Sequence, residues 1–102
     1  MAQFDLYLPG RPTRVAYFLD LQTDFLDSLN TVIVAPLVAE EHAEIKGHRS
    51  LSTRFVVEGK PHILEAVHLA AIERKTLGPK VGSLAEQRYD ILAALDFIFT
   101  GI

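Results

Sequence analysis

The chain has no cysteine, which excludes a disulfide framework and a thiolate zinc site and fits a reducing compartment such as the cytoplasm. It is also short of positive charge. Ten Lys and Arg against thirteen Asp and Glu leave a formal net charge of −3, so the chain as a whole lacks the field that direct binding to a phosphate backbone requires. No stretch reaches the roughly 18–20 apolar residues of a membrane span, and residues 1–10 carry neither a basic flank nor an apolar signal region. No membrane association is expected.

Assembled catalytic and metal-binding motifs are equally scarce. Without cysteine, the nucleophile candidates are Ser28, Ser50, Ser52 and Ser83 with four histidines, and no motif supports any of them. His42 with His48, and His62 with His68, have neither the i, i+4 spacing of a helical zinc pair nor an H-E-x-x-H frame. Asp20, Asp24 and Asp27 lack the ordered oxygens and central glycine of a calcium loop, and a solvated turn with aspartates capping backbone N–H groups explains them better. Arg11, Arg14, Arg49 and Arg54 have no interleaved aromatics and are taken as scattered surface charge. No cofactor or metal is expected.

What the chain does have is a composition suited to a packed core, 49% hydrophobic and 23% charged, in 102 residues that form one domain over 1–102. Residues 3–8 alternate, with Phe4 and Leu6 on one side and Gln3, Asp5 and Tyr7 on the other, as in a half-buried strand. Pro9-Gly10-Arg11-Pro12 provides a turn, and residues 14–22 the returning strand. Residues 23–30, polar and studded with aspartate, form a loop. A third strand covers 31–38, with Pro36 suggesting an edge, a bulge or a strand end. Residues 39–50 are expected to be irregular. Strands at 53–57 and from His62 onward flank a turn at 58–61 that contains Gly59.

Residues 63–77 are undecided on periodicity, because Ile63 to Ile72 would also make a good helix. Ser83-Leu84-Ala85-Glu86 matches a capping box and predicts a helix from about Leu84. Leu84, Ile91, Leu92, Leu95, Ile98 and Phe99 then recur on one helical face, and Gly101 is placed to end it. The apolar ending Ile98 to Ile102 is unusual for a terminus. It must either dock on the core or a dimer mate, or form a partner-binding surface.

Gln3-Phe4-x-x-Tyr7, Phe18-x-Asp20-x-Gln22-Thr23-Asp24-x-x-Asp27, Pro36-Leu37 and a final helix ending in Gly101-Ile102 together resemble the CcdB toxins over the full length. The resemblance implies a mainly β fold with one C-terminal α-helix, an SH3-like barrel of the CcdB/MazF type with a five-stranded antiparallel sheet and a small second sheet. It also implies strands across residues 63–77. The function it implies is that of a non-enzymatic toxin of a type II toxin–antitoxin system, a homodimer that binds the DNA gyrase A subunit and traps the cleaved gyrase–DNA complex. Carried over position by position, the gyrase-contacting residues are Phe25 and Leu26 in the loop, Asp96 on the helix, and Thr100, Gly101 and Ile102 at the tail. The best-known members have Trp at the place of Thr100 and Asn at that of Asp96.

The resemblance further implies a CcdA-like antitoxin whose disordered tail folds on the toxin, and repression of the shared operon with DNA contacted only through that partner. Two other readings share the same fold. One is a MazF-like endoribonuclease, which the acidic balance disfavours; the other is a degenerate, non-toxic relative that only binds antitoxin.

Overall fold

The computed structural model, which describes residues 2–44 and 53–101, begins with a hairpin of β1 (Asp5–Pro9) and β2 (Val15–Asp20). The intervening turn packs tightly on a later strand: a Cβ on Gly10 would lie 2.2 Å from the carbonyl oxygen of Thr76, so only glycine permits the approach. β3 (Thr31–Ala39) is the central strand, rich in β-branched residues. It pairs with β2 along one edge, and along the other with β5 (Lys60–Leu64) and β6 (Ala70–Glu73) in succession. The expectation that Pro36 marks an edge, bulge or strand end is corrected here, because β3 runs straight through it opposite Phe18. Pro36 sits at the fork, between the β6 ladder ending at Val34 and the β5 ladder beginning at Leu37, and its carbonyl accepts the Glu65 N–H at 3.0 Å. A strand residue's N–H and C=O point to the same edge, so the missing donor falls where no ladder bond is due.

β4 (Thr53–Val57) pairs with β5 through a two-residue turn in which Glu58 and Gly59 both have positive φ, 52° and 78°, the geometry whose twist matches a tight hairpin. Residues 63–77 hold strands, as the resemblance implied, with 3-10 turns between them. β6 is flanked by 3-10 turns at Ala66–His68 and Arg74–Thr76, after which β7 (Leu77–Ser83) pairs with β1. A further 3-10 turn, Glu40–His42, opens the stretch expected to be irregular, and the remainder of that stretch from residue 45 lies outside the described residues.

The sheet order is β4-β5-β3-β2-β1-β7, with β6 on β3. Along the path β6-β3-β2-β1-β7 lie four strand spacings, roughly 19 Å if flat. The link from Glu73 to Leu77 can reach at most about 14 Å. The sheet must therefore curl, bringing β6 and β7 together in an SH3-like half-barrel, with β4 and β5 as a smaller extension.

The curl gives the sheet two buried faces. On one, Leu6, Leu19, Ala35 and Leu37 meet Phe55, Val57 and Leu64 from the small hairpin, together with Leu84, Ile91 and Ala94 from the C-terminal segment. The other face is enclosed by the sheet itself and holds Tyr7, Asp20, Val32 and Val34. The polar side expected for the first strand is thus buried as well, with Asp5 3% and Tyr7 7% exposed.

The helix α1 spans Arg88–Thr100, four residues later than its predicted start. The Ser83 hydroxyl does accept a backbone N–H, from Ala85 at 3.1 Å, but it serves a 3-10 turn at Ala85–Gln87 that precedes the helix. Ile91 is fully buried, a contribution of about 2–3 kcal/mol from one side chain, while Phe99, expected on the same face, is 71% exposed. Gly101 ends the helix in the left-handed conformation, φ 76°, its N–H donating to the Phe97 carbonyl at 2.9 Å.

Candidate functional site

The loop from Thr23 to Asn30 is exposed yet held at several points. Within it Asp24–Leu26 forms a 3-10 turn, and the Thr23 hydroxyl accepts the Phe25 N–H. The Asp24 carboxylate accepts the N–H of Gln3 at 2.7 Å, tying the loop to the N-terminal segment. Phe4, next in sequence, is held at φ 71°, where a bulky residue is strained. That backbone bridges two elements, donating to the Asp20 carbonyl at 2.6 Å and accepting from the Leu84 N–H at 2.8 Å, while the Phe4 ring is buried in the core.

Two side chains grip the loop from behind. Gln22 donates from Nε2 to the carbonyls of Leu26 at 3.4 Å and Thr31 at 3.2 Å, and its Oε1 accepts the Ile33 N–H at 3.2 Å. Arg74, on the turn between β6 and β7, donates to the carbonyls of Leu29 at 2.6 Å and Leu26 at 3.3 Å, and lies 3.7 Å from the Asp27 carboxylate. Phe25 stands on this framework 95% exposed, with Leu26 at 42%. Full exposure of a phenylalanine on a held loop forgoes the burial such a ring ordinarily gains.

Below the loop lies the buried Asp20, whose carboxylate accepts the Gln22 N–H at 2.8 Å. Burial pushes this group up to about 6, against the opposing pull of that hydrogen bond and of Arg74. Tyr7 is likewise raised to about 12 by burial and by the neighbouring Asp5. Asp20, Asp24 and Asp27 therefore serve separate partners, and among the described residues no cluster of three His, Asp or Glu side chains is placed to hold a metal ion.

The remaining site residues lie on and beyond α1. Asp96, Thr100 and Gly101 are exposed, and Thr100 donates its hydroxyl back to the Asp96 carbonyl at 2.7 Å. Ile102 lies outside the described residues. Leu95 and Ile98 of the helix and Leu21, just before the loop, all pack against the same core cluster, so helix end and loop both border one core. Their direct neighbours differ: the helix packs chiefly on β4 and the 3-10 turns at 66–68 and 85–87, whereas the loop is held by Gln3, Gln22 and Arg74. The roles of Gln22 and Arg74 escaped sequence reasoning. Gln22 stood within a recognised pattern without an assigned task, and Arg74 is 48 residues distant from Leu26.

Arg14 is the clearest correction to the picture of scattered surface charge. Its guanidinium lies 2.7 Å from Glu65, whose side chain has no exposed surface and also accepts the Glu44 N–H at 3.0 Å, with His68 Nδ1 at 3.1 Å. Burial alone would raise Glu65, but these hydrogen bonds outweigh it and hold the carboxyl below its ordinary value. Arg54 pairs with Glu40, and Arg49 lies outside the described residues.

A curled antiparallel sheet with one packed C-terminal helix gives the chain an SH3-like barrel fold. The fold matches that of the Mycobacterium tuberculosis toxin MazF-mt6 with a TM-score of 0.75 over 93% of this chain and 95% of that one, at 18% sequence identity, a likeness of fold alone. The family is given by sequence: residues 3–101 match the model for CcdB protein, and the chain belongs to the CcdB family, toxins of toxin–antitoxin systems. Among the described residues, no helix is long and apolar enough to cross a membrane.

Proposed function

We propose that this protein binds the DNA gyrase A subunit and traps the cleaved gyrase–DNA complex, acting as a poison and catalysing nothing itself. The observation that carries this reading is Phe25, 95% exposed on a loop fixed from three directions. An aromatic anchor on a pre-organised support loses little freedom on docking and is the kind of residue that dominates an interface. Leu26 adjoins it, and Asp96, Thr100, Gly101 and Ile102 supply the second part of the surface, in a homodimer that brings two copies together.

The same reading includes a cytoplasmic protein, neutralised by a CcdA-like antitoxin that covers this surface and joins it in repressing their operon. DNA is then contacted only through the antitoxin, consistent with a net charge of −3. Purified protein added to gyrase and plasmid DNA should accumulate linearised plasmid after detergent and protease treatment. Phe25→Ala and deletion of Gly101 and Ile102 should each abolish that accumulation. Undiminished trapping by both variants would refute the assignment of the surface, and cleavage of RNA by the purified protein would replace the reading with a ribonuclease.

A further inference from the structure

We propose that Arg74, acting with Gln22, is the positioning residue that sets the pose of Phe25 and Leu26 for docking, an inference that rests on the gyrase-binding reading of that loop. Arg74 belongs to the turn that joins β6 to β7, the link that closes the half-barrel. Its side chain is only 19% exposed, and its guanidinium is directed at main-chain carbonyls of a loop more than forty residues away.

The pattern of donors specifies a shape. Arg74 Nε reaches the Leu29 carbonyl, its Nη2 the Leu26 carbonyl, and its own N–H the Asn30 carbonyl at 2.9 Å. Gln22 Nε2 approaches the Leu26 carbonyl as well, so two donors from different elements converge on the residue beside Phe25. A planar fork holds several acceptors in fixed relative positions, which one ammonium cannot do. Barrel closure and loop geometry are therefore joined through one side chain, and the exposed ring is pre-organised by a residue that lies behind the loop.

The test is a double-mutant cycle on the full chain with Arg74→Ala, Phe25→Ala and both, measuring affinity for purified gyrase A subunit by calorimetry alongside backbone amide relaxation of residues 24–29. Arg74→Ala should weaken binding by about tenfold, a typical coupling between neighbouring groups, and by less than about twofold when Phe25 is already absent. The loop amides should become mobile on the fast timescale. Arg74→Lys keeps the charge facing Asp20 and Asp27 and serves if the alanine variant does not fold; it should loosen the same amides. Loop amides as rigid as in the parent, or equal losses with and without Phe25, would overturn the proposal. Unchanged affinity in Phe25→Ala would instead refute the docking reading, while the relaxation data would still decide whether Arg74 holds the loop.

Discussion

Replacing Asp20 with asparagine should make the protein more stable at neutral pH. The side chain is 1% exposed, enclosed by the curled sheet, and burial raises its pKa from 3.8 to about 6. The folded chain therefore takes up this proton at a higher pH than the unfolded chain does. Stability from this group is least above pH 6, grows as pH falls through 6, and is fully gained below about 4. A shift of about two units corresponds to about 3 kcal/mol, borne by the fold whenever the carboxylate is ionised. Asparagine keeps an acceptor for the Gln22 N–H and removes the charge.

Urea unfolding of parent and Asp20→Asn, from pH 4.5 to 8, isolates the effect, since the four histidines are present in both and cancel in the difference. The variant should gain about 1–3 kcal/mol at pH 7.5, and the gain should shrink toward zero near pH 4.5, with an unchanged denaturant slope. Neighbouring Asp5, Tyr7, Asp27 and Arg74 stay in place, so a difference that does not vary with pH, or a variant weaker at every pH, would show that the ionised Asp20 is compensated in the fold and refute the reasoning.

Arg14→Ala should cost about 1–3 kcal/mol in chemical denaturation, because it leaves the buried Glu65 without its half-exposed guanidinium and with only the Glu44 N–H and His68 as partners. Since the Glu65 pKa is held low, its contribution is present above about pH 4.5 and lost as pH falls further through the depressed folded value; thermal melts of the variant should show a weaker acid loss than the parent. Gly10→Ala should lower the melting temperature far more than Gly101→Ala. The first places a Cβ against the Thr76 carbonyl, whereas the second meets nothing within 4 Å and costs only about 1 kcal/mol for its φ of 76°. Equal melting temperatures would contradict the contact.

What could be read in the sequence is what local chemistry decides. The turns at Gly10 and Gly59, the helix end at Gly101 and the polar loop after the second strand all depend on a few neighbouring residues, and all are found. The barrel itself came from resemblance, because alternation in β1 implies one wet face and cannot foretell that the sheet will curl over Asp5 and Tyr7. Residues 63–77 were ambiguous for a related reason: the 3-10 turns on either side of β6 follow from the route across the barrel and not from local preference. Ser83 does cap a turn, but the 3-10 segment moves the helix start to Arg88. Glu65 with Arg14, and Leu26 with Arg74, pair groups about fifty residues apart, where no periodicity operates.

On the proposed reading, the distribution of exposed apolar surface says where the site carries its anchors. Thr100 offers a small side chain whose hydroxyl proton is already given to the Asp96 carbonyl, and Asp96 would bring a charge to be desolvated. Among the residues carried over, the aromatic ring is Phe25, with Leu26 beside it, and Phe99, 71% exposed next to Thr100, adds a second ring at the helix end. Interfaces concentrate their energy in such rings and treat surrounding contacts as complementarity. On that reading the loop, with the polar framework of Gln3, Gln22 and Arg74 beneath, shares with Phe99 the part that a tail tryptophan would otherwise hold, while Gly101 keeps backbone accessible at the rim.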